Sequence, residues 1–493
     1  MSENRKSWLW LSLALLLVGA MYAPAMRYGF LDNWDDGIFI IENRHLKLTP
    51  ANFRRYGMRH YRNLYTPLPM YSLMLDRACF GLRPAGYHLH NLALHLVCTA
   101  MFFVILLRLG VPPPFAALAG LIWALNPQKN ESVIWVTERK DVLMGVFFFA
   151  AILCFMEGCR RRRWQWDAAC AVCTVCAIFC KPAAVPLIGI FPVWLLCRRD
   201  WRQSWRHGVL IPVAAGVLAT IWAAYMTAQD NPGTLERNVL VWIHNVLWYP
   251  MSAVTPLFNT NPIYPAVGPA GDHLALLTLV PLAILALAFY AWKVRGIAPL
   301  TILAACLLLG GTILPVVGLW HYTAFEYCDR YNYLVSAVAV AILALLIPRN
   351  RIGAGVLAAI AVLMMAATWL GMPEWRTDES LARACLERPG RLNPKAVEVA
   401  ASDAFHREDA AFLSWIARRI AMDESLLGGV ERKGENTVLL LQCYAAFLDD
   451  RDREARALLS PLLAAEERSG KIRFLRGANY RLVYKHLKKC MQQ

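Results

Sequence analysis

Long apolar runs alternate with short polar breaks from Trp8 to Leu370, and many of the runs have the length a helix needs to cross a hydrocarbon core. The pattern predicts about eleven membrane-crossing helices: Trp8–Met26, His88–Leu109, Phe115–Leu125, Val142–Met156, Trp166–Cys180, Ala183–Cys197, Val209–Met226, His273–Trp292, Ile297–Trp320, Leu334–Ile347 and Ile352–Leu370. Two longer polar segments interrupt them. The first, Arg27 to Tyr87, carries amphipathic pieces starting at Thr49-Pro50 and running from Pro69 to Phe80. The second, Thr227 to Asp272, holds Pro250, Pro256, Pro262, Pro265 and Pro269, which rule out a straight span there. A helix lying in the interface from Val239 to Trp248 fits its apolar face.

The basic loops set the orientation. Arg160 to Arg163, then Arg198, Arg199, Arg202 and Arg206, then Lys293 and Arg295, then Arg349 and Arg351 all fall on one side of the predicted bundle. By the positive-inside rule that side is the cytoplasm. Arg5 and Lys6 precede the first run, whose length and weak Ala23-Pro24-Ala25 motif favour a retained helix over a cleaved signal. The expected localisation is a membrane crossed many times, with a cytoplasmic N-terminus and a C-terminal domain outside the cytoplasm.

Composition agrees with this class and excludes others. Hydrophobic residues make up 58% of the 493, charged residues 17%, and the mean hydropathy is +0.38, too apolar for a soluble chain of this size. The formal net charge of +16 resides largely in the short loops, so nucleic acid is not an expected partner. Cys170, Cys173, Cys176 and Cys180 recur every three or four residues and form a small-residue packing face on one helix; no disulfide framework is expected.

From Pro373 onward the chain is charged and helical in period, with no spanning run. Leu439 to Leu448, a turn at Asp449-Asp450, and Ala455 to Leu462 predict an antiparallel helix pair. Such pairs build tetratricopeptide-type solenoids, although no clear period repeats, so a degenerate TPR-like domain is expected over 373–493 beside a transmembrane domain over 1–372. A basic stretch closes the chain, from Lys471 to Lys489.

Polar residues cluster where the spans end. Asp35-Asp36 follow the first span between Phe30 and Trp34, aromatic residues suited to the water–lipid boundary. Glu138-Arg139-Lys140-Asp141, Lys181 and Asp329-Arg330-Tyr331 fall on the same predicted side. Ionisable groups at mid-depth would suit a transporter or flippase of a lipid-linked sugar. Groups at headgroup depth suit an enzyme acting on a lipid phosphate. A carboxylate there can take a proton from an attacking hydroxyl or amine. Arg and Lys can hold a phosphate and neutralise the charge on it as it leaves. The bland alternatives are helix capping for Glu138 to Asp141 and Asp35-Asp36, a structural ion pair for Asp329-Arg330, and snorkelling for Lys181. His88, Asn91 and His95 share a helix face, but interfacial hydrogen bonding explains them better than a metal, and no metal is expected.

In this order the clusters resemble one family. Phe30 to Asp36, Pro67-Leu68-Pro69, Gly86 to His95, Asn126-Pro127 with Glu131-Ser132-Val133, Glu138 to Leu143, Lys181-Pro182, Asp329-Arg330-Tyr331 and Glu374-Trp375-Arg376 are similar to the transmembrane and tetratricopeptide-repeat O-mannosyltransferases and their bacterial relatives, within the GT-C glycosyltransferases. The resemblance implies an all-α polytopic fold and an inverting transfer of a sugar from a polyprenyl-phosphate donor at the extracytoplasmic face. It implies Asp35 and Asp36 as catalytic candidates and Arg139, Lys140, Lys181 and Arg330 as donor-phosphate candidates. Glu138, Asp141, Asp329, Tyr331, Asn91 and His95 would support them. Thr66 stands where relatives often carry Arg or His, so no phosphate contact is expected from it.

The reading is thus a membrane glycosyltransferase with no cofactor beyond its lipid-linked donor. Its partners would be a polyprenyl-phosphate sugar, membrane lipid and a protein acceptor, pilin-like, offered to the C-terminal helical domain. Modification of a glycolipid or cell-envelope glycan is the alternative.

Overall fold

The computed structural model describes residues 3–61, 65–196, 209–228, 234–235, 239–255, 274–321, 327–387, 392, 394–423, 433–469, 472, 474–475 and 478–492. The predicted basic loop at Arg198 to Arg206 and the prolines from Pro256 to Pro269 lie outside the described residues. The chain is an all-α polytopic membrane protein. Among the described residues, eight helices are long and apolar enough to span a bilayer: Arg5–Arg27, Pro84–Arg108, Val136–Arg161, Leu210–Ala228, Leu276–Lys293, Pro299–Val316, Asp329–Leu346 and Arg351–Trp375. Shorter apolar helices at Pro113–Ala124, Trp164–Cys180 and Pro182–Leu195 occupy the other three predicted positions.

Two compact units divide the described residues, one of 3–30 and 38–375, the other of 31–37 and 376–492. A short loop from the first polar segment, Leu31–Gly37, groups with the tail that begins at Arg376.

In the first unit, α1 (Glu3–Tyr22) packs on α4 (Pro84–Arg108) and α5 (Pro113–Ala124). Next, α7 (Arg139–Arg161) packs between α4 and α8 (Trp164–Cys180), and α8 in turn meets α10 (Leu210–Ala228). Close approach matters where α7 passes α4 and α14 (Asn332–Leu346). A Cβ at Gly145 would come within 2.7 Å of the Tyr333 ring and 3.0 Å of Cys98 Sγ. The cysteine face of α8 serves packing as expected: Cys170 donates through Sγ to Ala151 O at 3.3 Å, and no disulfide forms among the described cysteines.

The first polar segment is ordered by its own small core. Phe39, Ile40, Leu46, Tyr56, Met70, Leu73, Met74, Tyr87 and Val136 pack together. The two amphipathic pieces supply part of it, α2 (Pro50–Met58) giving Tyr56 and α3 (Pro67–Phe80) giving Met70, Leu73 and Met74. α2 starts where Thr49 Oγ1 accepts from Asn52 N at 3.2 Å and Pro50 takes the first helical position, and α3 stops at Gly81, φ +63°. The predicted interfacial helix forms as α11 (Val239–Ser252), with Pro250 inside its last turn. Short strands β1 (Thr234–Leu235) and β2 (Trp320–His321) pair antiparallel.

Hydrogen bonds and ion pairs order the ends of this unit. Asn91 on α4 meets Arg139 at the start of α7, and Arg330 before α14 meets Glu138. Thr368, near the end of α15 (Arg351–Gly371), donates to Leu125 O, just past α5. At the other end of α4 and α7, Arg108 pairs with Glu157 at 3.1 Å, beside Arg160 and Arg161. The charges of α7 thus gather at its two ends.

In the second unit, α16 (Asp378–Glu387), α17 (Pro394–His406) and α18 (Ala410–Ala421) stack in sequence, their core including Phe412, Leu413, Ile416 and Ile420. The predicted helix pair is α19 (Lys433–Leu448) and α20 (Asp452–Ser469), reversing through Asp449-Asp450 with Asp450 at φ +56°. Of the basic stretch, the part from Ala478 forms α21 (Ala478–Gln492), which packs on α19, while Lys471 lies outside the described residues.

Candidate active site

The segment 126–141 builds the polar centre of the first unit. Asn126 fixes its start: Nδ2 donates to Ser252 O and Ala253 O, both at 3.1 Å, while Oδ1 accepts from Gln128 N at 3.0 Å. The short helix α6 (Lys129–Ile134) then presents Lys129 and Glu131 into the interior. α7 begins three residues before the predicted Val142, so Glu138 to Asp141 lie at its first turn, where acidic groups suit the helix dipole.

Helix geometry separates these neighbours in sequence. Successive residues on a helix point about 100° apart, so adjacent side chains do not share a face. Lys140 Nζ lies 3.1 Å from Glu138 Oε1, and Lys181 Nζ lies 3.4 Å from Glu138 Oε2 and 2.6 Å from Asp141 Oδ1. Arg330 Nε lies 3.6 Å from Glu138 Oε1, its Nη1 pairs with Glu131, and its backbone N donates to Glu131 Oε2 at 2.8 Å. One carboxylate, Glu138, thereby meets three cations drawn from three parts of the chain. Aromatic faces flank them, with the Tyr331 ring 5.5 Å from Lys181 Nζ and 5.3 Å from Arg330 Cζ, and the Trp135 ring 5.6 Å from Arg330 Cζ.

Arg139 takes a different direction. Its five N–H donors meet Asp76 at 2.6 Å, Ser72 Oγ at 2.7 Å, His90 Nδ1 at 2.9 Å, Tyr87 O at 3.1 Å and Asn91 Oδ1. Its side chain has 0% exposure, against 9% for Lys140, 14% for Lys181 and 7% for Arg330. A guanidinium so surrounded has no donors left for an incoming phosphate, and its observed work is to pin α3 and α4 to α7. The sequence grouped it with Lys140; the structure does not.

The supporting residues divide in the same way. Asn91 accepts from Arg139 and donates to Val133 O at 3.3 Å and Trp135 O at 3.4 Å, holding the segment before α7. His95 lies 3.1 Å from Ala124 O through Nε2 and 2.9 Å from the Tyr333 hydroxyl through Nδ1. A carbonyl can only accept, so Nε2 carries the proton and Nδ1 accepts from Tyr333. Asp141 accepts from Ser132 Oγ at 3.1 Å as well as from Lys181. Asp329 is buried and opens the turn Asp329–Tyr331.

Two buried residues were absent from the candidate set. Glu131 stood in a quoted motif without a role, and burial now pushes its carboxyl up to about 7, against the lowering effect of Arg330. Lys129 donates to Ser336 Oγ at 2.7 Å and Asn332 O at 3.0 Å, and burial brings its ammonium down to about 7, although Asp141 and Asp329 oppose that. Lys181 goes the other way. Burial alone would lower it, but Asp141 and Glu138 raise it above the usual lysine value and keep it charged.

The loop Leu31–Gly37 belongs to the second unit. Asp36 is buried and its Oδ2 accepts from Leu31 N at 3.0 Å, so one oxygen closes the loop on itself. Asp35 is half-buried and Asp32 exposed. Burial raises the Asp32 carboxyl above its ordinary value.

No protein-family model matches the chain. It is 30% identical over 135 residues to protein O-mannosyl-transferase TMTC2 of Mus musculus and of Homo sapiens, a stretch covering 26% of this chain. It is 22% identical over 348 residues to protein O-mannosyl-transferase F38B6.6 of Caenorhabditis elegans, covering 64% of this chain and 48% of that protein. Its homologues are protein O-mannosyltransferases. The chain spans 16% of the length of the TMTC2 proteins it matches. Crystal structures of ArnT from Cupriavidus metallidurans, bound to undecaprenyl phosphate and in the apo state, resemble it with TM-scores of 0.35 and 0.40 at 15% identity. These likenesses cover 100% and 94% of this chain and 76% and 74% of ArnT.

Proposed function

We propose that the protein is a GT-C glycosyltransferase that moves a sugar from a polyprenyl-phosphate carrier to an acceptor at the extracytoplasmic face of a bacterial inner membrane. The observation that carries this reading is the gathering of Lys140, Lys181 and Arg330 about Glu138 at the ends of spanning helices. The ends of spanning helices are expected at headgroup depth, where a lipid phosphate resides. Charges at helix ends also favour an enzyme over a transporter or flippase, which would use them at mid-depth. The homology to protein O-mannosyltransferases supports the activity.

In the proposed reaction the acceptor hydroxyl attacks the anomeric carbon from the face opposite the phosphate, with inversion. The bond from that carbon to the phosphate oxygen breaks, and the polyprenyl phosphate leaves with the electron pair. The three cations neutralise the charge that grows on it. Asp35 takes the acceptor proton as general base, being the less buried of the pair, while Asp36 holds the loop through Leu31 N. Glu138 and Asp141 keep the cations apart and oriented before the donor arrives, and Arg139 with Asn91 fixes the start of α7. The donor is the sole lipid-linked substrate, and no metal or cofactor takes part.

The acceptor is proposed to be a protein, pilin-like, presented to the helical domain; the N-terminus is cytoplasmic and that domain periplasmic. Mass spectrometry of surface glycoproteins and glycolipids from a strain lacking the chain tests the reading. A missing glycan on protein supports it, a missing glycan on lipid alone replaces the acceptor, and an unchanged glycome contradicts it.

A further inference from the structure

Asn33, two residues before Asp35, is held by residues more than 300 positions away. Its Nδ2 lies 3.4 Å from Asp378 Oδ2 and 3.4 Å from Asp403 Oδ1, and its backbone N donates to the same Asp378 oxygen at 3.3 Å. Its Oδ1 accepts from Ser402 Oγ at 3.3 Å. Asp378 opens α16, while Ser402 and Asp403 lie on α17, so both helices grip one side chain.

The chemistry of the grip requires an amide. Asn33 offers two N–H donors to two carboxylates and one carbonyl to a hydroxyl, and no other side chain of that length does all three. A carboxylate in its place would offer Asp378 and Asp403 no donor, and an apolar isostere would leave both short of one. Asp403 is also held by Arg407 at 2.8 Å, which pairs with Glu379 at 2.6 Å, so the gripping surface is braced from behind. Asp378 Oδ1 is buried without a hydrogen-bond partner, while Asp378 Oδ2 accepts from both the backbone N and Nδ2 of Asn33. Within the loop, the bond from Leu31 N to Asp36 Oδ2 spans Asn33 and makes 31–36 one closed turn. A grip on Asn33 therefore fixes the turn that bears Asp35.

We infer that Asn33 is a positioning residue for the Asp35 carboxylate, acting through Asp378, Ser402 and Asp403, so that the C-terminal helical domain is a working part of the transferase and not only an acceptor platform. The inference rests on the reading above that Asp35 is the base. A base displaced by about 1 Å loses on the order of 100-fold in rate while substrate binding persists. A residue that only stabilised the domain would lower the folded fraction and leave the turnover of the remainder intact.

The experiment uses the full chain in detergent, undecaprenyl-phosphate mannose as donor, and envelope proteins from a strain lacking the chain as acceptor. Asn33→Ala is expected to lower kcat by roughly 100-fold with the donor KM within about twofold. Asp378→Ala should do the same, Asp378→Asn, which keeps an acceptor oxygen, should lose less, and the double Asn33→Ala, Asp378→Ala variant should fall no further than either single change. Ser402→Ala, which removes the hydroxyl that donates to Asn33 Oδ1, should give a smaller loss of kcat with a nearly unchanged melting temperature, and it serves if Asn33→Ala fails to fold. Wild-type kcat in Asn33→Ala and Ser402→Ala, or losses that multiply in the double variant, would overturn the inference. If Asp35→Asn abolishes transfer while Asn33→Ala is active, the inference fails and the base assignment stands. If Asp35→Asn is itself active, the base assignment fails and takes the inference with it.

Discussion

Replacing Arg139 by alanine separates a structural role from a donor-binding one. The guanidinium is fully buried and satisfies Asp76, Ser72, Asn91 and a backbone carbonyl at once. Its removal leaves the Asp76 carboxylate, itself 1% exposed, with only His90, whose Nδ1 lies 2.6 Å away. Breaking a buried ion pair by deleting one partner costs about 3–5 kcal/mol, chiefly because the other charge stays buried. That is a large share of the roughly 5–15 kcal/mol that holds a typical domain together. Asn91 would also lose its acceptor bond, loosening the segment that carries Glu131. The expected result in detergent is a strong drop in melting temperature for Arg139→Ala, and a smaller one when Asp76→Ala is added, since the double change removes the stranded charge. The folded fraction should keep its donor KM. A wild-type melt together with a tenfold higher donor KM would refute the reasoning and return Arg139 to the phosphate.

Asp35→Asn is expected to abolish transfer and leave polyprenyl phosphate binding intact, measured by single-turnover kinetics and native mass spectrometry; retained transfer would contradict its role as base. In the proposed mechanism Lys140, Lys181 and Arg330 supply the charge a divalent ion would bring, so EDTA should leave the initial rate unchanged, and inhibition reversed by Mg or Mn would argue otherwise. Asp378 gives a pH prediction. Burial first, then the neighbouring Asp403, Asp32 and Asp36, raise its carboxyl from 3.8 to about 7, against the lowering effect of Asn33 N. Folding therefore favours its protonated form; this contribution is full below about 4 and fades as pH rises through about 7. Asp378→Asn cannot ionise, so its melting temperature relative to wild type should rise between pH 5 and pH 8; a constant difference would contradict the shift.

The membrane architecture was legible because lipid demands it. Spans must be apolar and about 20 residues long, and basic loops mark one face, so alternation alone located all three shorter helices as well as the eight long ones. Starts of helices were less legible. α7 begins at Arg139 because a helix can carry charged residues in its first turn, which an apolar pattern does not count. Roles within a polar run were the least legible. Glu138 to Asp141 looked like one group, yet the helical turn sends Arg139 to α3 and α4 and leaves Lys140 beside Lys181 and Arg330. Pairings such as Lys181 with Asp141 and Arg330 with Glu131 join residues 40 and 199 apart, and no local rule reaches that far. Asn33 was visible only as part of a motif, since its partners lie in the tail.

The most direct measurement is the dissociation constant of undecaprenyl phosphate for Lys140→Gln and Lys181→Gln. Both side chains keep some exposure and neither replacement strands a deeply buried guanidinium. A charge-assisted hydrogen bond contributes about 1.5–3 kcal/mol, so each change should weaken binding by about 10- to 150-fold. Wild-type affinity in both variants would mean that the cations around Glu138 hold the fold and not the donor.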